Sequence, residues 1–165
     1  MAKRFIGNDE GVIVEGADGS SAVPAGYVGE KLSAVDSTFL TLTAPASAGY
    51  TDVANVYLDI PAGVWLLTYS TSVQAALSGT GQAITKSRLY NQTDSVSLIE
   101  TSGDLGTSTV GSWSHFSANT IISIDSTKRV VLQAGWQLNA TPVSLTNLYV
   151  RGDRGETSLI AVRIA

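Results

Sequence analysis

The sequence predicts an all-β protein: an antiparallel two-sheet sandwich of the jelly-roll type, carrying a short extended N-terminal arm. Three observations support this. From Leu32 onward, apolar and polar residues alternate with period two, the pattern of strands with one buried face. Breaks rich in Gly, Pro, Asn, Asp and Ser recur at short-strand spacing. No segment keeps the 3.6-residue period of an amphipathic helix. About eight or nine short strands at this spacing indicate a sandwich of the jelly-roll type.

The first stretch, residues 1–30, differs from the rest. Glycines at 7, 11, 16, 19, 26 and 29 are interspersed with acidic residues. Only Gly11-Val12-Ile13-Val14-Glu15-Gly16 reads as a strand. A lone short strand does not hold itself in a sheet. It needs a partner edge, in its own domain or in another chain. Val12, Ile13 and Val14 are therefore the expected anchoring residues, and Ala17 to Ala25 reads as a flexible linker. The domain division expected is an arm and linker over 1–30 and a sandwich over 31–165.

Strands are expected near 33–43, 52–60, 64–74, 83–91, 95–101, 109–124 (one bent or two), 129–139, 143–151 and 157–164. In the second, Ala54, Val56, Leu58 and Ile60 alternate with Val53, Asn55, Tyr57 and Asp59. Pro61-Ala62-Gly63 breaks the run, and Val64-Trp65-Leu66-Leu67-Thr68-Tyr69 resumes it, the mark of a hairpin. The 129–139 strand is clean, with Val130, Leu132, Ala134, Trp136 and Leu138 against Val131, Gln133, Gly135 and Gln137. The strands at 64–70 and 157–164 are apolar on both faces, so both faces are covered. A two-layer sandwich covers one. A neighbouring subunit is the simplest cover for the other, and the arm or a loop folding back is the alternative. The residues assigned to a subunit interface on this ground are Leu67, Tyr69, Leu159, Ile160 and Val162.

Composition narrows the function. The 165 residues carry a formal charge of −4 with 15% charged residues, one histidine and no cysteine. Without clustered positive charge, nucleic-acid binding is not expected. Absent cysteine removes disulfides, thiolate metal sites and a cysteine nucleophile. No run approaches ~20 apolar residues, so no membrane insertion by a helix is expected. The start, Met1-Ala2-Lys3-Arg4-Phe5-Ile6-Gly7, lacks the apolar region of a signal peptide, so assembly in a cytoplasm is expected.

Candidate chemistry is sparse. The lone His115 has no serine beside it that could reach it from adjacent strand positions, and a more distant serine is not identifiable. Asp52, Asp59, Asp94, Glu100, Asp104 and Asp125 could in principle pair for sugar hydrolysis, but all fall at turns or strand ends, where carboxylates cap. Asn8-Asp9-Glu10 and Asp18 match no calcium loop. Arg151-Gly152-Asp153 spells an adhesive tripeptide at a hairpin, where Gly-Asp is turn chemistry. Asn91-Gln92-Thr93 and Asn139-Ala140-Thr141 match the glycosylation sequon. No catalytic residue, metal site or cofactor is expected. For a sugar contact, Trp65 and Trp136 read as core. Tyr50, Tyr90 and Trp113 lie nearer irregular stretches and are the receptor-contact candidates.

Ala25-Gly26-Tyr27-Val28-Gly29-Glu30, followed by Leu58-Asp59-Ile60-Pro61-Ala62-Gly63-Val64-Trp65, resembles a bacteriophage tail-fibre or head-fibre family. That family shares a Gly-Tyr-(Ile/Val)-Gly-Glu lead-in and a Leu-Pro-Ala-Gly-Xaa-Trp hairpin, and ends on a strand rich in Ala and Arg. Ile160-Ala161-Val162-Arg163-Ile164-Ala165 resembles that last strand, with a single Arg where a pair is usual, and the hairpin here reads Asp-Ile-Pro. The resemblance runs in order from residue 25 to 165. It implies a knob like the tumour-necrosis-factor jelly roll, usually a homotrimer, mounted on a virion; the sparse candidate chemistry adds the expectation that it is not an enzyme. The expected partners are further copies of itself, other virion proteins through the arm, and a host surface glycan. A purely architectural decoration or adaptor protein is the alternative, and a polysaccharide depolymerase a more distant one.

Overall fold

A computed structural model describes residues 25–43, 49–78, 83–106, 113–138, 144–153 and 157–165. The arm residues Val12, Ile13 and Val14, the candidate calcium ligands Asn8, Asp9, Glu10 and Asp18, and the sequon at 139–141 lie outside the described residues. So does the side chain of Asp104. The described chain forms β1 (Lys31–Asp36), β2 (Phe39–Leu42), β3 (Gly49–Ile60), β4 (Gly63–Ser78), β5 (Ala83–Asn91), β6 (Val96–Gly106), β7 (Ser114–Ile124), β8 (Lys128–Leu138), β9 (Ser144–Arg151) and β10 (Thr157–Arg163).

Every pairing is antiparallel. Opposite Val73 of β4 stands Val150 of β9, and opposite Ser70 stands Ser158 of β10. The two strands therefore lie end to end along one edge of β4, with β7 on its other edge. β1 and β2 lie end to end in the same way against β10 and β9. The first sheet thus runs β7, β4, β10/β9, β1/β2, and the second β3, β8, β5, β6. Counted as eight long strands, the orders are sixth–third–eighth–first and second–seventh–fourth–fifth. That is the strand order of an eight-stranded jelly roll.

The interruptions have a local cause. Asp36 Oδ1 accepts bonds from the Thr38 backbone N–H and hydroxyl, both at 2.6 Å, which bends the chain between β1 and β2. Next to that bend, the Gly152 N–H donates to Thr38 O at 2.8 Å. A Cβ on Gly152 would stand 2.4 Å from Asp36 O, so only glycine fits the approach.

The inner faces close over one core. From β4 come Trp65, Leu67, Tyr69 and Val73, all fully buried. Trp136 of β8 is buried as well. Tyr69 crosses between the sheets: its hydroxyl lies 2.9 Å from Ser87 Oγ and 2.6 Å from Thr101 Oγ1. A buried phenol needs such partners, and here they are supplied by the facing sheet. The interface assignment of Leu67, Tyr69 and Leu159 is corrected accordingly. All three have no exposed surface and point into the chain's own core. The alternation holds, and its inner half packs against the chain's own facing sheet.

β3 holds a second departure. Asn55 adopts φ +64°, and the register against β8 shifts between Asp52 and Tyr57. This bulge puts both Val53 and Val56 into the core, where strict alternation separates them. The predicted break between 60 and 64 is present, and Trp65 Nε1 donates to Pro61 O at 3.0 Å across it.

Candidate functional site

The three motifs that carry the family resemblance meet at one end of the sandwich. Arg163, at the end of β10, forms an ion pair with Glu30 at 3.4 Å. It also donates to Gly26 O at 3.2 Å and to Ala62 O. Its guanidinium lies 5.1 Å from the Trp65 ring centre. Glu30 Oε2 in turn accepts from the Gly26 N–H at 2.6 Å. Main-chain bonds complete the clasp: Gly29 N to Arg163 O at 2.8 Å and Val64 N to Ala165 O at 2.8 Å. Lead-in, hairpin and last strand thus form one structural unit. Glu30, allotted to the arm by sequence, is bonded into the body of the sandwich.

The outer face of the first sheet is divided along its length. Near the clasp it is apolar. Leu66 stands between Val162 and Ile121, with Ile160 and Val64 in neighbouring rows. Ile121 is 63% exposed, and Lys31 of β1 closes this row opposite Val162; Val35, 58% exposed, stands further along, opposite Ser158. The middle carries hydroxyls, Thr68, Ser70, Ser117 and Ser158. The far end is aromatic. Phe39 packs edge-on against Trp113 at 5.9 Å and tilted against Tyr149 at 5.5 Å. Arg151 lies over Trp113 at 5.1 Å. Ile160 and Val162, the other two interface candidates, belong to this face. So does Trp113, which parts it from Tyr50 and Tyr90.

The second sheet's outer face is polar and densely bonded. Arg129 holds Asp59 through two bonds of 2.8 Å and lies 4.5 Å from the Tyr57 ring centre. Gln133 donates to Asp52 at 2.6 Å and accepts from Arg88 Nε at 2.6 Å. Arg88 is stacked between Tyr50 at 3.9 Å and Tyr90 at 4.4 Å. Lys86 pairs with Glu100 at 3.3 Å. Burial first, and then the Glu100 carboxylate, push the Tyr50 phenol up, so it stays neutral. Of this network the sequence reading named Tyr50 and Tyr90, which the fold brings together, and missed Arg88. The available signal was spacing: Arg88 and Tyr90 share a face in a strand of period two.

The residues weighed for chemistry are structurally employed. His115 Nδ1 lies 2.6 Å from Ser72 Oγ across β4 and β7, a serine the sequence reading could not identify. Ser72 has no exposed surface, so its hydroxyl is not open to a substrate carbonyl. The Arg129 hydrogen bond holds the Asp59 carboxyl below its usual range, and Lys128 does the same for Asp94. A general acid in glycoside hydrolysis needs the opposite shift. Asp125 accepts from Ser126 Oγ at 3.1 Å. Asn91 is buried and bonded to Asp94 at 2.9 Å, which occupies that sequon side chain in a turn. In the adhesive tripeptide, Arg151 and Asp153 bind each other at 3.2 Å around the buried Gly152. No group of metal-ligating side chains is present among the described residues.

Fold and faces define a jelly-roll module with two chemically unlike outer surfaces. Among solved structures it is similar to Eiger TNF from S. frugiperda, with a TM-score of 0.55 and 8% identity over 84% of this chain and 94% of that one. The likeness is one of fold. A chain of infectious bursal disease virus, Gx strain, aligns with a TM-score of 0.44 at 13% identity, covering 99% of this chain and 43% of that one. Dimeric latent PorU from Porphyromonas gingivalis gives 0.44 at 13% identity, covering 90% and 14%. These two superpositions are too loose to support an argument, and the chain spans less than half of either. No family model and no curated protein matches the sequence.

Proposed function

We propose that this chain is a non-enzymatic structural protein of a bacteriophage particle: a small homotrimeric knob, mounted through its N-terminal arm, that meets glycans of the host surface. The observation that carries the reading is the contrast between the outer faces. The second sheet's outer face is polar and pairs Arg129 with Asp59 and Lys86 with Glu100 within its own surface. The first leaves Ile121, Val35 and Phe39 exposed beside Leu66, Ile160 and Val162. An apolar face of this kind marks an interaction surface, and closed symmetry covers it with copies of itself. The family resemblance supplies the number three and the virion. The second sheet then faces outward, free for a receptor.

Two adjacent residues test the assembly. Ile160 is on the outer face and Leu159 in the core. Ile160→Asp should leave a folded protein that elutes as a monomer, because an unpaired charge in a dry contact costs several kcal/mol. Leu159→Asp should unfold the chain. Light scattering of the unaltered protein should give three times 17.2 kDa. A monomer at micromolar concentration, or an Ile160→Asp variant still trimeric, refutes the proposal. Immunogold labelling of intact particles tests the virion location.

A further inference from the structure

We propose that Arg88, on the outer face of the second sheet, binds the carboxylate of an acidic sugar. The inference deepens the reading of the protein as a host-contacting knob and rests on it.

Among the described residues of this face, Arg129 and Lys86 each hold a carboxylate in salt-bridge contact. Arg129 has Asp59 at 2.8 Å and Lys86 has Glu100 at 3.3 Å. Arg88 has no carboxylate in salt-bridge contact among the described residues. Its one hydrogen bond there is through Nε, to Gln133. Nη1 and Nη2, the two ends of the guanidinium fork, have no protein partner among the described residues.

That fork is rigidly held. Tyr50 and Tyr90 clamp it on both faces. Gln133, which fixes Nε, is itself fixed by Asp52, and Asp52 accepts from Gln92 Nε2 at 3.3 Å. Gly135 lets the clamp close: a Cβ there would stand 2.5 Å from Tyr50 Cδ1. An immobilised planar fork with free donors matches a carboxylate through two parallel bonds, and the ordering cost has been met in folding.

The surroundings select the ligand. Asp52 and Glu100 flank the site, so a singly charged carboxylate is favoured over a dianionic phosphate. One step along the sheet, register places Tyr57, Val131 and Tyr90 in a row on the same face. Tyr57 is 45% exposed. An aromatic row beside a carboxylate fork suits a pyranose ring bearing a carboxyl group, as in a hexuronate.

Calorimetric titration tests the proposal with three probes: a glucuronate-terminated oligosaccharide, the same molecule with its carboxyl reduced to hydroxymethyl, and the analogue carrying a phosphate. The first should bind at least about tenfold more tightly than either other. Arg88→Lys keeps a charge but loses the fork, and should also cost at least about tenfold. Arg88→Gln should abolish binding. The reduced probe needs no variant, so the outcome does not depend on a substitution folding. Equal binding of the reduced probe, tighter binding of the phosphate, or full affinity in Arg88→Lys overturns the inference. Labelled protein that adsorbs to host cells, uncompeted by the glucuronate probe, overturns it while leaving the host-contact reading standing. Neither adsorption nor titration signal overturns both.

Discussion

Arg163 shows how one side chain can tie together segments far apart in sequence. It joins the lead-in at Gly26, the hairpin at Ala62 and the buried Glu30, with side-chain exposures of 14% for Arg163 and 8% for Glu30. Removing one partner of such a pair leaves the other charge with little solvent, which costs about 3–5 kcal/mol when burial is complete. Arg163→Met should therefore lower unfolding stability by about 3 kcal/mol in urea. Glu30→Gln should cost less, because the amide oxygen still accepts from Gly26 N–H. The double variant should recover part of the loss, since it strands no charge. Equal losses for both single variants, adding in the double, would show that the pair does not act as a unit.

At the level of the element, most of the sandwich was legible because period two is a direct readout of a buried face. β5 and β8 fall almost where the alternation puts them. The bulge in β3 was not legible. A single left-handed residue shifts the face of everything after it, and Asn is the only sequence hint. The two-part strands β1/β2 and β9/β10 were read as one strand and as two, because the Asp36 turn is made by a side chain and not by a Pro or Gly. The two-sided apolar strands were recognised, yet parity alone did not say which side was interior, and Leu67, Tyr69 and Leu159 went to the wrong face. Arg88 stayed hidden because its role depends on Tyr50 and Gln133, remote in sequence. The bulge gives a direct test. Asn55 is exposed at φ +64°, so Asn55→Gly should be neutral or stabilising by up to about 1 kcal/mol. Asn55→Val should cost about 1–3 kcal/mol by forcing a β-branched residue into that region. A stable Asn55→Val protein would mean that the bulge is not fixed by its backbone.

For the whole molecule, acid response and the arm are the measurable consequences. Asp59 and Asp94 have their pKa values lowered from 3.8 by Arg129 and Lys128. Glu100 is lowered from 4.5 by the Tyr50 hydroxyl and by Lys86. A carboxyl lowered on folding contributes stability above its unfolded pKa and loses it as pH falls through the folded one. The melting temperature should thus stay level from pH 8 to about 5 and fall below about pH 4, modestly, because exposed pairs are weak. A fall starting near neutral pH would contradict the carboxylate origin. The arm is tested by deletion. Removing residues 1–24 keeps the Gly26–Glu30 bond of 2.6 Å and the Gly29–Arg163 bond of 2.8 Å, so the clasp that closes the sandwich survives. The truncated protein should keep the oligomeric state of the full chain and melt within about 2 °C of it, under the shift expected for 1 kcal/mol at this size. On the proposed anchoring role of Val12-Ile13-Val14, it should no longer enter particles. Ile13→Asp should weaken incorporation less than deletion does. The opposing arrangement has the arm lying over Leu66, Ile121 and Val162 of its own sheet. Truncation would then bare that face, and early melting or aggregation of the truncated protein would reject the anchoring role.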